Sequence, residues 1–230
     1  MEKLLVVLDA SAISNSACML KLFRTVIQGY TGKINNNDIE FGSAFHKFRK
    51  VYRDKGEEGL ALGIKAAKEY FLNTPMYVKS NKKYLTMTFL MRICLEYAEK
   101  YKKDPFQVIR VNENEPLLEL KFSFPYYVDD TMEILMAGTI DELGKHSNGI
   151  VCICDAKTTS MWDVQKYFES YQLSCQLRFY KWALHKYIKA YPKSFLADIC
   201  QDEIGCFIDG IFYKGADGEV IYKRSDVMLY

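Results

Sequence analysis

The chain has 230 residues, 49% of them apolar and 26% charged, with a formal net charge of +2. That length accommodates one well-packed α/β or α+β domain, with room for a helical annex but not for a second full-sized domain. The composition excludes a fibrous or disordered chain, and the charge lacks the basic footprint of a dedicated nucleic-acid binder, although an enzyme that must release its nucleic acid needs no such footprint.

In chain order, the first feature is an apolar run, Leu4 to Leu8, too short for a signal-peptide core with its cleavage site and closed by Asp9. Ser11 or Ser14 can cap a helix running through Ile27, which Gly29 ends. Further helical patterns cover Phe41–Arg53, Glu57–Leu72 and Tyr84–Lys102, with breakers at Gly32–Asn37, Gly56 and Asn73–Pro75. After Pro105 the texture turns β-rich, at Phe106–Val111, Leu117–Val128, Met132–Asp141 and Ile150–Ala156. A turn through His146, Ser147, Asn148 and Gly149 joins the last two, which predicts an antiparallel meander. A helix from Asp163 to about Ala190 follows, stopped by Pro192, and then strands Cys206–Lys214 and Glu219–Lys223 around the turn Gly215–Gly218. The order predicts one domain over 1–230 of α+β, α/β-like class. Residues 1–104 are its mainly helical portion, and 105–230 hold a mixed, mostly antiparallel central sheet flanked by helices.

The seven cysteines, at 18, 94, 152, 154, 175, 200 and 206, are odd in number and lack the spacing of a disulfide framework. Free thiols in an intracellular, cytoplasmic setting are expected, and no stretch approaches a membrane span.

The segment Ile150 to Lys157 reads as a central strand, apolar on both faces, that ends in an acid and a base. Alternate strand residues share a face, so Asp155 and Lys157 point the same way. Charges at the end of a buried strand need pairing, hydrogen bonds or a metal. The preceding strand ends in Asp141, which a hairpin can bring alongside Asp155. Two carboxylates and the carbonyl of Ala156 make a hard oxygen site suited to Mg²⁺ or Mn²⁺, with Lys157 placed to orient or deprotonate a water. By itself Asp-x-Lys is a weak signal, and a strand-end ion pair explains it as well.

The set around it is more specific: Gly42 to His46, then Glu119, Gly138 to Asp141, Asp155 to Thr158, and Gln176 to Tyr180. In that order the segments match Gly-x-x-x-His, Gly-x-x-Asp, Asp-x-Lys-Thr and Gln-x-x-x-Tyr, and the chain from about Ala10 to Tyr180 resembles the RecB-like, lambda-exonuclease-like branch of the PD-(D/E)xK nucleases. The resemblance implies a restriction-endonuclease-like core and a Mg²⁺- or Mn²⁺-dependent deoxyribonuclease, an exonuclease of DNA recombination, repair or phage DNA processing. It implies that Asp141 and Asp155 ligate the metal, that His46 adds an imidazole, that Lys157 is the catalytic lysine, and that Gln176 and Tyr180 shape the site. Ordinary packing remains open for His46, Gln176 and Tyr180, and an ion pair for Glu119, the possible additional acid. Ile140 stands where the family name has proline. Some relatives hold an iron–sulfur cluster on one early and three late cysteines; Cys18, Cys200 and Cys206 match three positions, but Ala197 stands at the fourth, so no cluster is expected.

Lys47, Arg49, Lys50, Arg53 and Lys55 fall together, as do Lys79, Lys82 and Lys83. Such runs make either solvated helix faces or phosphate contacts. With DNA as substrate, Lys47, Arg49, Lys50 and Arg178 are the candidate backbone contacts, and Tyr77, Tyr84, Tyr126 and Tyr127 the candidate base-stacking rings. A non-catalytic DNA-binding scaffold, or a nuclease subunit that needs a helicase or annealing partner, are the competing readings, and an oligomer is compatible with each.

Overall fold

Segments apolar on both faces belong in the middle of a sheet, and the two such segments here are adjacent central strands. The computed structural model describes residues 3–16, 18–30, 37–74, 84–161, 163–200, 203–214 and 218–230. It begins with β1 (Leu4–Leu8), α1 (Ala10–Asn15), α2 (Met19–Leu22) and a π-helical turn at Phe23–Ile27. Three longer helices follow: α3 (Asn37–Lys55), α4 (Leu60–Leu72) and α5 (Met87–Lys100). The second half runs β2 (Phe106–Val108), β3 (Leu118–Val128), β4 (Met132–His146), β5 (Val151–Thr159), α6 (Val164–Tyr171), α7 (Cys175–Ala190), α8 (Phe195–Ile199), β6 (Gly205–Tyr213) and β7 (Val220–Arg224).

The seven strands form one mixed sheet along the path β1-β4-β5-β6-β7, with β2 and β3 also on β4. All nine residues of β6 are buried, as is β5 from Val151 to Ala156. The two run parallel, and the crossover between them is helical, as a parallel connection requires. Alternate residues of β6 face opposite helical layers. Ile211 and Tyr213 meet Phe41, Phe45, Phe89 and Tyr97 of α3 and α5, while Ile208 and Phe212 meet Tyr167, Phe168 and Leu177 of α6 and α7.

Long β4 organises the site. One of its edges carries β3 and then β2, both antiparallel. The other carries β1, parallel, from Met132 to Met136, and then β5, antiparallel, from Glu142 onward. Between those two partners, residues 137–141 have no strand on that edge among the described residues, which leaves a notch in the sheet.

Several expected boundaries move. The Leu4–Leu8 run is a strand, because parallel pairing with β4 gives its backbone groups partners. The expected first helix is broken: Asp9, not a serine, caps α1 by accepting from Ala12 N at 2.7 Å, and a π-turn ends the segment at Ile27. The expected helix over 163–190 divides at Gln172–Ser174, where Ser174 caps α7. Helix α8 was not expected. Gly149 adopts φ +91° in the β4–β5 turn, as the turn sequence requires. The breaker at 32–36 and the turn at 215–217 lie outside the described residues. No helix among the described residues is long and apolar enough to cross a membrane.

Candidate active site

The notch opens where β4 and β5 part. Their last rung is Glu142 opposite Cys154, and one residue further out stand Asp141 and Asp155. Past that rung the ladder is continued by a side chain, for Asp141 Oδ2 accepts the backbone N–H of Ala156 at 3.0 Å. In an extended strand the N–H and C=O of one residue point to the same edge. The carbonyl of Ala156 therefore faces the notch too.

Asp155 is 1% exposed. Its Oδ2 lies 2.7 Å from Lys157 Nζ, and its Oδ1 accepts from Gln176 Nε2 at 3.3 Å. Gln176 also donates to Tyr180 Oη at 2.8 Å, one turn along α7. Gly138 seats this pair. It lies opposite Phe122 on β3, whose ring fills the space a Cβ would take and packs on Phe179 and Tyr180 of α7.

From the other side α3 delivers His46, whose Nδ1 lies 3.6 Å from Asp141 Oδ2. Gly42, one turn earlier, allows that approach, since a Cβ there would lie 3.0 Å from Thr158 Oγ1. One donor atom each from His46, Glu119 and Asp141 fall within 4.8 Å of one another. Asp155 stands outside that trio, held by Lys157 and Gln176.

Glu119 has φ +54°, the left-handed region that a Cβ disfavours. Its strand neighbours keep register with β4, Leu118 on Glu142 and Leu120 on Ile140, but the rung between them, Glu119 and Asp141, is missing. Leu117 and Leu120 pack on the same apolar cluster although three residues apart, as do Ile140 and Leu143. Thus the alternation of faces slips at the two acids, and strain of this kind collects at functional positions. Glu119→Gly is expected to stabilise the fold by about 1 kcal/mol, a melting shift of about 2–4 °C, because glycine carries no Cβ penalty at positive φ. The same change should weaken divalent-metal affinity about tenfold or more. A thermal melt and a calorimetric Mn²⁺ titration of one sample check both, and a lower melting point with unchanged binding would refute the link between strain and metal.

Burial pushes the Asp155 carboxyl above its ordinary pKa and the nearby Asp141 adds to the rise, while the Lys157 ammonium opposes it. Burial acts to lower Lys157, but the Asp155 and Asp141 carboxylates outweigh it and hold the ammonium above its ordinary value. Tyr180 is pushed up to about 12, chiefly by burial, so its phenol stays protonated at neutral pH. Carboxylates gathered around one point repel each other until a cation joins them. The donor set, an imidazole nitrogen with carboxylate and carbonyl oxygens, fits a hard divalent ion.

The cleft over this site has a volume of about 460 Å³, and Asp9, Ser11, Ser43, Lys47 and Tyr70 complete its wall. None of those except Lys47 was expected. A second cleft, about 520 Å³, meets it at Ala10, Ser11 and Gln176 and continues along Ser14, Ser174 and Leu173.

Among the basic candidates, Lys47 and Lys50 are exposed on α3, and Arg178 is exposed with its guanidinium 4.9 Å from the ring centroid of Tyr230. Arg49 requires correction as a DNA contact. It is 3% exposed and paired with Glu142 at 2.6 Å and Asp209 at 3.4 Å, so no phosphate can reach it. Arg53 is likewise enclosed by Glu142 and Asp104, each at 2.6 Å. Tyr84 packs on Tyr213, whereas Tyr126 and Tyr127 are exposed near the β3–β4 hairpin. Lys79, Lys82, Lys83 and Tyr77 lie outside the described residues. Cys18 is exposed while Cys200 and Cys206 are buried. The buried Asp209 was missed; its signal was an acid inside the otherwise apolar run Cys206 to Tyr213.

The mixed sheet between helical layers is consistent with what family comparison finds for the chain. Residues 14–202 match the PD-(D/E)XK nuclease superfamily, and the chain belongs to it. Membership implies a nuclease, a hydrolase of nucleic-acid phosphodiester bonds, that uses divalent metal. No individual curated protein matches the chain.

Proposed function

We propose that the protein is a Mg²⁺- or Mn²⁺-dependent deoxyribonuclease of the RecB-like, lambda-exonuclease-like branch, working from DNA ends. The observation that carries this reading is the group beyond the last β4–β5 rung, with Asp141 bound to Ala156 N and Asp155 bound to Lys157. In this reading Asp141, Asp155 and the Ala156 carbonyl hold the metal, joined by His46 and Glu119. When bound, such an ion makes a water nucleophilic near neutral pH and offsets charge on the phosphoryl oxygens.

The chain's own groups do the rest. Lys157 orients the attacking water and meets charge developing on the phosphate. Water oxygen forms the new bond to phosphorus and releases a proton to solvent, the bond from phosphorus to the departing sugar oxygen breaks, and that oxygen takes up a proton from solvent. Gln176, bonded to both Asp155 and Tyr180, fixes the orientation of the Asp155 carboxylate. Lys47 on the cleft wall is a phosphate contact, with exposed Lys50 on the same helix and Arg178 on α7, and the hydroxyl-lined second cleft continues the path of the strand. The need for ends follows from the resemblance to lambda-exonuclease-like proteins.

The test is degradation of end-labelled linear DNA beside a closed circle, with Mg²⁺, Mn²⁺ or EDTA. Loss of the linear substrate alone, with metal alone, is expected. Equal cutting of the circle would remove the exonuclease assignment. Cleavage of neither would favour a binding scaffold, unless a helicase or annealing partner restores activity.

A further inference from the structure

We propose that Arg49 is a positioning residue for the metal site: it clamps the last rung joining β4 to β5 and so sets how far apart Asp141 and Asp155 stand. The inference rests on the metal-site reading above. Arg49 Nη2 donates to Glu142 Oε2 at 2.6 Å and to Cys154 Sγ at 3.0 Å. Those two side chains belong to the terminal rung, and the next residues outward are the two acids. The same nitrogen reaches Asp209 Oδ2 at 3.4 Å, and Asp209 is the register partner of Ala156. One guanidinium therefore touches β4 and β5, which part at the notch, and β6 behind them.

Arg49 is itself fixed. Its Nε donates to Tyr97 Oη at 3.1 Å, and that phenol donates to Asp209 Oδ2 at 2.7 Å. Arg53 holds the other oxygen of Glu142, with bonds of 2.9 and 2.6 Å to Oε1, so the carboxylate cannot turn away. The guanidinium holds Nε on Tyr97 while Nη2 reaches the three strands, two arms that a single ammonium lacks. Because His46 lies on the same helix face three residues earlier, the depth at which Arg49 seats α3 also sets the reach of His46 to Asp141. An ion pair that served stability alone could sit anywhere in the core. This one sits on the hinge of the notch.

The experiment is a calorimetric Mn²⁺ titration of the folded full chain, comparing wild type, Asp155→Ala and the double variant Arg49→Met/Glu142→Gln, which removes both partners and leaves neither charge bare. The proposal expects the double variant to melt cooperatively yet bind Mn²⁺ at least about tenfold more weakly, with kcat reduced and KM for DNA unchanged. Affinity within about twofold of wild type would overturn it, since a purely structural role leaves a folded site intact. If the double variant does not fold, Arg49→Lys is read the same way: weakening beyond about threefold supports the clamp, and a smaller change overturns it. Failure of wild type to bind Mn²⁺ at all would instead sink the metal-site reading, and equal binding by Asp155→Ala would sink its ligand assignment.

Discussion

Asp155→Ala is expected to reduce metal-dependent degradation of linear DNA by about a thousandfold or more while leaving a folded protein. Asp155 meets three groups at once: Lys157 at 2.7 Å, Gln176 at 3.3 Å and, through the notch, Asp141. On the proposed reading, its loss removes a carboxylate from the metal and frees Lys157 from the place where it meets the phosphate. With Mn²⁺ held saturating, both effects fall on the chemical step, so kcat should fall while KM for DNA, which the proposal assigns to exposed contacts such as Lys47 and Lys50, changes little. The fold should survive because Lys157 keeps Asp141 as a second acidic neighbour. Single-turnover cleavage with saturating Mn²⁺, beside a thermal melt, measures both quantities. A variant within about tenfold of wild-type rate would remove Asp155 from the chemistry.

The parts of this site legible in the sequence are those written locally. A strand apolar on both faces that ends in Asp155-Ala-Lys157 cannot bury those charges unpaired, so its end had to be an edge or a site. The spacing of Gln176 and Tyr180 put both on one helix face, and from there Gln176 meets Asp155 while Tyr180 accepts from Gln176. Other features depend on pairings distant in sequence. Leu4 to Leu8 is a strand only because β4 lies beside it. Arg49 and Lys50 look alike in a basic run, and only the packing of α3 on the sheet turns one onto Glu142 and leaves the other in solvent. The left-handed backbone at Glu119 is invisible in the sequence, since no glycine announces it.

Arg49→Ala should be the most destabilising single change among those named here, at about 3–5 kcal/mol, a large share of the roughly 5–15 kcal/mol that holds a typical domain folded. The cost arises because Glu142 and Asp209, both fully buried, lose a partner while remaining charged. Urea denaturation should show a lower midpoint with an unchanged slope. The acid dependence separates charge from packing. Burial acts to raise Asp209, but Arg224, Arg49 and the Tyr97 hydroxyl outweigh it and hold the carboxyl below its ordinary value. A group whose folded pKa is depressed contributes stability above its unfolded pKa, about 3.9, and that contribution is lost as pH falls through and below it. Wild type should therefore lose stability as pH falls from about 5 toward 3, and the variant, lacking one source of the depression, should lose less. The gap between them must narrow with acid if the guanidinium acts as a counter-charge. If it stays constant, the cost is that of an empty volume, and Arg49→Ala/Glu142→Gln, which leaves the same space but no bare carboxylate at Glu142, should then be no better than Arg49→Ala alone.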